Sequence, residues 1–213
     1  MRDLLIITAD ADMAEVMRAI LRRHQALGIR PVDYEVRRHD GRDAGLFREG
    51  PEMTQSLKRE FQRVIVLWDY HGSGREHLEP PDSSESNIQR RLNDVSWTGN
   101  SFGIAITPEL EEWLWHNDAA IWKWLNHRSE SILKDWIAEF SALRGVPVSD
   151  VRRKAPKELF EFVCFNGHQR RPLPRDYSRI ASAASLADWQ QSRTFGMLNL
   201  RLRAWFPTQP PTV

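Results

Sequence analysis

The sequence predicts an α/β protein: a doubly wound, mainly parallel four-stranded sheet followed by a helical C-terminal extension. Three observations carry this. Apolar runs alternate with helix-period segments through the first 128 residues. The apolar runs are short and nearly continuous, the pattern of strands buried on both faces. Beyond about residue 128 only helical periodicity remains. The expected division is an α/β domain over 1–128, a helical extension over 129–206 and a frayed tail over 207–213.

Taken in order, Leu4 to Ile7 reads as the first strand. Asp10 or Asp12 is placed to cap the helix that follows, in which Met13, Val16, Met17, Ile20 and Leu21 recur at helical spacing. Gly28 ends it. Pro31 to Val36 is the second strand. The polar, glycine-punctuated segment from Arg37 to Gly50 reads as a loop, and Pro51 opens a helix through Phe61. Val64 to Trp68 is the third strand. Pro80 to Ser84 marks a loop, with a helix over Asn87 to Val95. Phe102 to Ile106 is the fourth strand. Thr107-Pro108-Glu109 then reads as a helix start, with Thr at the N-cap and Pro at the first position. Further helices are expected over Ser129 to Leu143, Pro156 to Phe165, Asp176 to Ala187 and Arg193 to Phe206.

Composition bounds the function. The chain has 213 residues, 41% hydrophobic and 28% charged, with a net charge of +1, so no global basic field announces nucleic acid. A single cysteine, Cys164, excludes an internal disulfide and fits a reducing cytoplasm; its apolar setting marks it as a core residue. The first residues turn acidic without a long apolar segment, and no run of about 18 apolar residues occurs anywhere. A cytoplasmic protein with no membrane association is expected. Trp113, Trp115, Trp122 and Trp124 are expected to pack the helical extension onto the sheet, with a partner interface as the alternative. There is no P-loop, no GxGxxG after a strand, no CxxC pair and no GxSxG.

In an open parallel sheet, sites gather at the carboxyl ends of the strands. After strand one come Thr8, Asp10 and Asp12; after strand three, in VIVLWDYHGSG, come Asp69 and His71; after strand four come Thr107, Glu109 and Glu111. Each acid taken singly has a plainer reading. Asp10 or Asp12 caps a helix, Asp69 makes an Asx-turn, Glu109 complements a helix dipole, and Glu111 beside Glu112 is solvated surface. Together they point to hard oxygen ligands for Mg²⁺ or Mn²⁺, because clustered carboxylates repel unless a cation sits between them.

This layout resembles a TOPRIM domain, the acidic α/β module of topoisomerases, primases and OLD-type nucleases. GIAITPELEEWLW is similar to small TOPRIM-like proteins of bacterial antiphage defence loci, such as RloB-like proteins and the TOPRIM-like component of methylation-associated defence systems. The resemblance covers roughly residues 3–117. It departs from the family in two places. Thr8 or Asp10 stands where a glutamate belongs, with Asp12 at the second acid; Asp69 matches the first acid of Asp-x-Asp, and His71 replaces the second.

The resemblance implies a metal-dependent nuclease of a defence system, held by Asp10, Asp12, Asp69, Glu109 and Glu111, with His71 as ligand or base. Lys157 would contact the scissile phosphate. The basic residues Arg152, Arg153, Lys154, Arg170, Arg171, Arg175, Arg201 and Arg203 suit phosphate contacts or a solvated helical surface. The alternative is a catalytically inactive TOPRIM-like binding subunit acting with a partner ATPase or methyltransferase. A phosphatase-like small-molecule enzyme on the same acidic edge is a third reading.

Overall fold

The computed structural model describes residues 1–126 and 130–208. Four strands, β1 (Arg2–Thr8), β2 (Tyr34–Arg38), β3 (Phe61–Asp69) and β4 (Ser101–Ile106), form one all-parallel sheet in the order β2-β1-β3-β4. Leu4 to Thr8 pair with Tyr34 to Arg38 on one side, and Arg2 to Thr8 run beside Phe61 to Leu67 on the other. The chain leaves β1 in one direction to reach β2, then crosses back over it to β3. The switch point therefore lies between the carboxyl ends of β1 and β3.

Side-chain alternation divides the two faces. Leu5 and Ile7 of β1 join Val64, Val66 and Trp68 of β3 under α3 (Arg42–Met53) and α4 (Pro81–Leu92). Leu4 and Ile6 join Ile65, Leu67 and Ile104 in a second, larger core. That core is covered by α1 (Ala11–Leu21) and α2 (His24–Leu27), then by α5 (Glu111–Leu114) and α6 (Asp118–Trp124). It continues without interruption into α7 (Glu130–Arg144), α8 (Val148–Lys154), α9 (Pro156–His168), α10 (Pro174–Ala183), α11 (Leu186–Trp189) and α12 (Arg193–Trp205). α10 packs along α1 and α12 against β4, so the C-terminal helices are a layer of the same body as the sheet.

The tryptophans make this junction. Trp113 Nε1 donates to Thr194 Oγ1 at 2.7 Å, Trp115 Nε1 to the Pro156 carbonyl at 2.9 Å, and Trp124 Nε1 to Asp176 Oδ1 at 3.1 Å. Each indole thus buries its ring in the shared core and satisfies its one donor on a C-terminal helix. Trp122 is half-buried at the margin. Cys164 is buried, as expected.

Several local expectations are corrected. The segment read as a loop up to Gly50 is mostly α3, which runs through Pro51. Its glycines are packing choices: a Cβ on Gly45 would meet His39 Cε1 at 3.1 Å, and one on Gly50 would meet Leu46 Cγ at 3.2 Å. Pro51 cannot donate to the Phe47 carbonyl four residues back; Arg91 Nη1 of α4 donates to it instead, at 2.6 Å. Consequently no helix runs from Pro51 to Phe61, and Phe61 opens β3.

The helix expected at Thr107 starts at Glu111, because the Thr107 hydroxyl turns back to donate to the Ala105 carbonyl at 3.2 Å. α4 begins at Pro81, inside the expected loop. The helix expected from Asp176 is two, α10 and α11, and α8 was not anticipated. Pro207 bridges Ile29. The proposed boundary at 128/129 and the last five residues of the tail lie outside the described residues.

Candidate functional site

Elements from all four strand ends converge at the switch point. Asp10 follows β1 and caps α1, its Oδ1 accepting from Met13 N at 2.9 Å. Asp12 stands in the first turn of that helix. Asp43 stands in the first turn of α3, after β2. Asp69 is the last residue of β3. Glu109 and Glu111 follow β4, and Lys157 opens α9.

Asp69 ties the arrangement together. It is 4% exposed. Its backbone N–H donates to Asp43 Oδ1 at 2.7 Å, and its own Oδ1 accepts from Leu110 N at 2.8 Å. The β3 carboxylate thus fixes the chain leading into α5, where an N-cap from Thr107 was expected. Glu111 is 3% exposed. Tyr177 Oη of α10 donates to its Oε1 at 2.6 Å, while Oε2 is buried with no hydrogen-bond partner among the described residues. A buried carboxylate oxygen left unpaired costs about 1–3 kcal/mol or more, so this atom is the strongest local sign of a missing partner.

Electrostatics bind the same residues into one unit. Burial, then the charges of Asp10 and Glu111, push Asp12 up to about 7. Burial raises Asp43 to about 6 against the Asp69 N–H bond that lowers it. Burial, reinforced by Glu111, Asp43 and Asp10, holds Asp69 well above the usual carboxylate range. Burial raises Glu111 to about 7 despite the Tyr177 hydrogen bond, and Glu109 is also raised by burial. Lys157 is the counter-charge: burial lowers its pKa, but Glu111, Glu109, Asp69 and Asp10 outweigh burial and raise it. Its Nζ stands 3.9 Å from Glu109 Oε1.

A cavity of about 500 Å³ opens beside this unit. Asp10, Asp12, Asp43 and Lys157 line it together with Arg38, His39, Asp40 and Arg42. Arg42 enters in the left-handed region, φ 51°, and is exposed. The turn that places it is tight: a Cβ on Gly41 would sit 2.9 Å from Gly45 Cα, so glycine is required there. An anion entering the cavity would meet basic side chains and an acidic wall together.

The structure therefore places Asp10, Asp12, Asp69, Glu109, Glu111 and Lys157 within reach of one another's charges. His71 stands apart. It is exposed, its ring lies 6.1 Å from that of Tyr70, and the carboxylate that feels its charge is Glu76. Asp43 was missed because its segment read as loop; the signal was an acid in the first turn after the Gly41 bend. Tyr177 had no sequence signal, being far along the chain from Glu111.

The donor set is hard oxygen with an orphaned Glu111 Oε2, which fits Mg²⁺ or Mn²⁺ in kind. Among the described residues, however, no three acid, histidine or cysteine side chains already stand in a metal-holding arrangement. Cation binding would require the carboxylates to draw in from their present positions. Comparison of the chain with family models, curated proteins and solved structures gives no match.

Proposed function

We propose that this chain is a TOPRIM-like phosphodiester hydrolase that depends on a divalent cation and works as a nuclease in bacterial antiphage defence. The single observation that supports the chemistry is the buried carboxylate unit around Lys157, with Glu111 Oε2 unpaired. The defence role rests on the family resemblance alone.

Asp12, Asp69 and Glu111 would hold the cation, with Asp10 and Glu109 next to them. When bound, it supplies charge neutralisation to the phosphodiester and makes water easier to deprotonate. Lys157 and Arg42 orient the phosphate in the cavity. Asp43, on the cavity wall with its pKa raised by burial to about 6, would accept the proton of the attacking water. Tyr177 keeps Glu111 oriented through its hydrogen bond. His71 has no role in this arrangement.

The test is cleavage of single- and double-stranded DNA and RNA with Mg²⁺ and Mn²⁺, beside a thermal melt with and without each cation. Wild type should cleave at least one substrate and gain stability with the cation; Glu111→Gln should do neither. Intact substrates together with an unmoved melting temperature would sink the proposal.

A second reading is favoured by the lack of a preformed metal arrangement among the described residues and by the missing glutamate, whose place falls to Thr8 or Asp10. In it the chain is an inactive TOPRIM-like binding subunit of a partner ATPase or methyltransferase. That reading expects no cation-dependent melting shift.

A further inference from the structure

A second cavity, of about 420 Å³, lies on the other side of the first turns of α3. Arg48, Arg75 and Arg91 line it with Phe47, Ser73, Gly74 and Asn87, and no acidic residue does. Arg91 is fully committed: its guanidinium donates to the Phe47 and Arg48 carbonyls at 2.6 Å and to Glu52. Arg48 and Arg75 are different. Each uses only its Nε, on Glu49 Oε1 and Glu79 Oε1 respectively, both at 2.9 Å. Their Nη nitrogens have no hydrogen-bond partner among the described residues. Arg75 is held in place by lying over the Phe47 ring, 4.9 Å from its centroid.

The turn opposite adds a backbone donor. Gly74 has φ +75° with open space where a Cβ would be, and its N–H has no acceptor among the described residues. Free paired Nη donors and a turn amide at a glycine suit a phosphate group.

The two cavities meet neighbouring residues of α3. Asp43 lines the first; Ala44, next along α3, lines the second. Asp43 Oδ2 lies 3.7 Å from the Cβ position of Gly72, and the adjacent Ser73 and Gly74 line the second cavity. A single phosphate ester needs one anion site; two sites lined by adjacent residues of α3 fit a chain of repeated phosphates.

We propose that this cavity is a second phosphate subsite, in which Arg48, Arg75 and the Gly74 amide hold the backbone of a nucleic-acid strand adjacent to the phosphodiester in the carboxylate cavity. This rests on the nuclease reading above and says where the strand's neighbouring phosphate sits.

Arg48→Ala/Arg75→Ala is compared with wild type in two assays. One is salt-dependent binding of labelled DNA and RNA oligonucleotides without added cation. The other is Mn²⁺-dependent hydrolysis of bis-p-nitrophenyl phosphate, which is too small to reach both cavities. Oligonucleotide affinity should fall about tenfold, and the slope of log affinity against log salt should shrink by about one to two. Ester hydrolysis should be unchanged. Should the double variant fail to fold, Arg48→Glu, at a side chain 72% exposed, should weaken binding in the same way. Wild-type affinity in the variants overturns the inference, as does equal loss in both assays or the absence of oligonucleotide binding in wild type. If wild type binds strands, loses them in the variants, and yet hydrolyses nothing, the subsite stands and the catalytic reading fails.

Discussion

Glu111→Gln should make the protein more stable while removing its cation response. Glu111 is buried, its pKa is raised from 4.5 to about 7, and its Oε2 has no partner. That displacement corresponds to about 3 kcal/mol held against the ionised form at high pH. Glutamine keeps an oxygen for Tyr177 but introduces a buried amide whose unmet donors cost about 1–3 kcal/mol. A net gain of up to about 2 kcal/mol remains near pH 8, or up to about 8 °C in Tm for a chain of this size.

The sign with pH follows from linkage. The folded pKa lies above the unfolded one, so the Glu111 proton stabilises the fold at low pH, and this is lost as pH rises from about 4.5 to about 7. The advantage of the variant should therefore vanish near pH 5. Thermal melts followed by tryptophan fluorescence at both pH values, in chelator and then in Mn²⁺, read all three effects. A variant less stable than wild type near pH 8 in chelator, or a difference that does not change with pH, would refute the idea that Glu111 is an uncompensated buried charge.

Wild type in chelator should itself lose stability between about pH 4 and pH 7, because Asp12, Asp43 and Glu111 all have raised folded pKa values; Mn²⁺ should raise Tm more near pH 8 than near pH 5, and an equal shift at both would count against carboxylate binding. Lys157→Met should lower cleavage by about 10² or more and destabilise the chain near pH 8, whereas His71→Ala should leave cleavage close to wild type; both are read by initial rates. Asp176→Ala should cost about 3–5 kcal/mol in a denaturant titration, since this fully buried carboxylate accepts from Arg170, Leu173 N and Trp124 Nε1. Gly103→Ala should destabilise by about 1–3 kcal/mol, because its Cβ would sit 2.7 Å from Ile88 Cγ2, and Ile88→Ala should cost less in the Gly103→Ala chain than in wild type.

The strands were legible because they are buried on both faces and leave continuous apolar runs. Their carboxyl ends, once ordered in a parallel sheet, pointed to Asp10, Asp12, Asp69, Glu109 and Glu111 without any contact being known. Lys157 was reachable from its place at a helix start marked by Pro156. What failed was α3. Gly45, Gly50 and Pro51 read locally as breakers, yet each is explained by something distant: His39, Leu46 and the Arg91 guanidinium. Losing the helix meant losing Asp43. His71 was misjudged for a related reason, since adjacency to Asp69 along the chain says nothing about which way the turn carries the ring. Tyr177 belongs to the class of partners that only packing reveals.

The shared core of sheet and C-terminal helices has a consequence for how this chain could be divided or inherited. The acids come from the first half, but the lysine that stands beside Glu109 and the hydroxyl that orients Glu111 arrive on α9 and α10. A fragment ending near residue 128 would keep the carboxylates, lose Lys157 and Tyr177, and bare the indoles of Trp113, Trp115 and Trp124. Recombination at that point would yield an acidic patch without its lysine on an unfinished core. The two halves are bound to change together, and a swap between relatives should succeed only when the seam is moved outside the whole site.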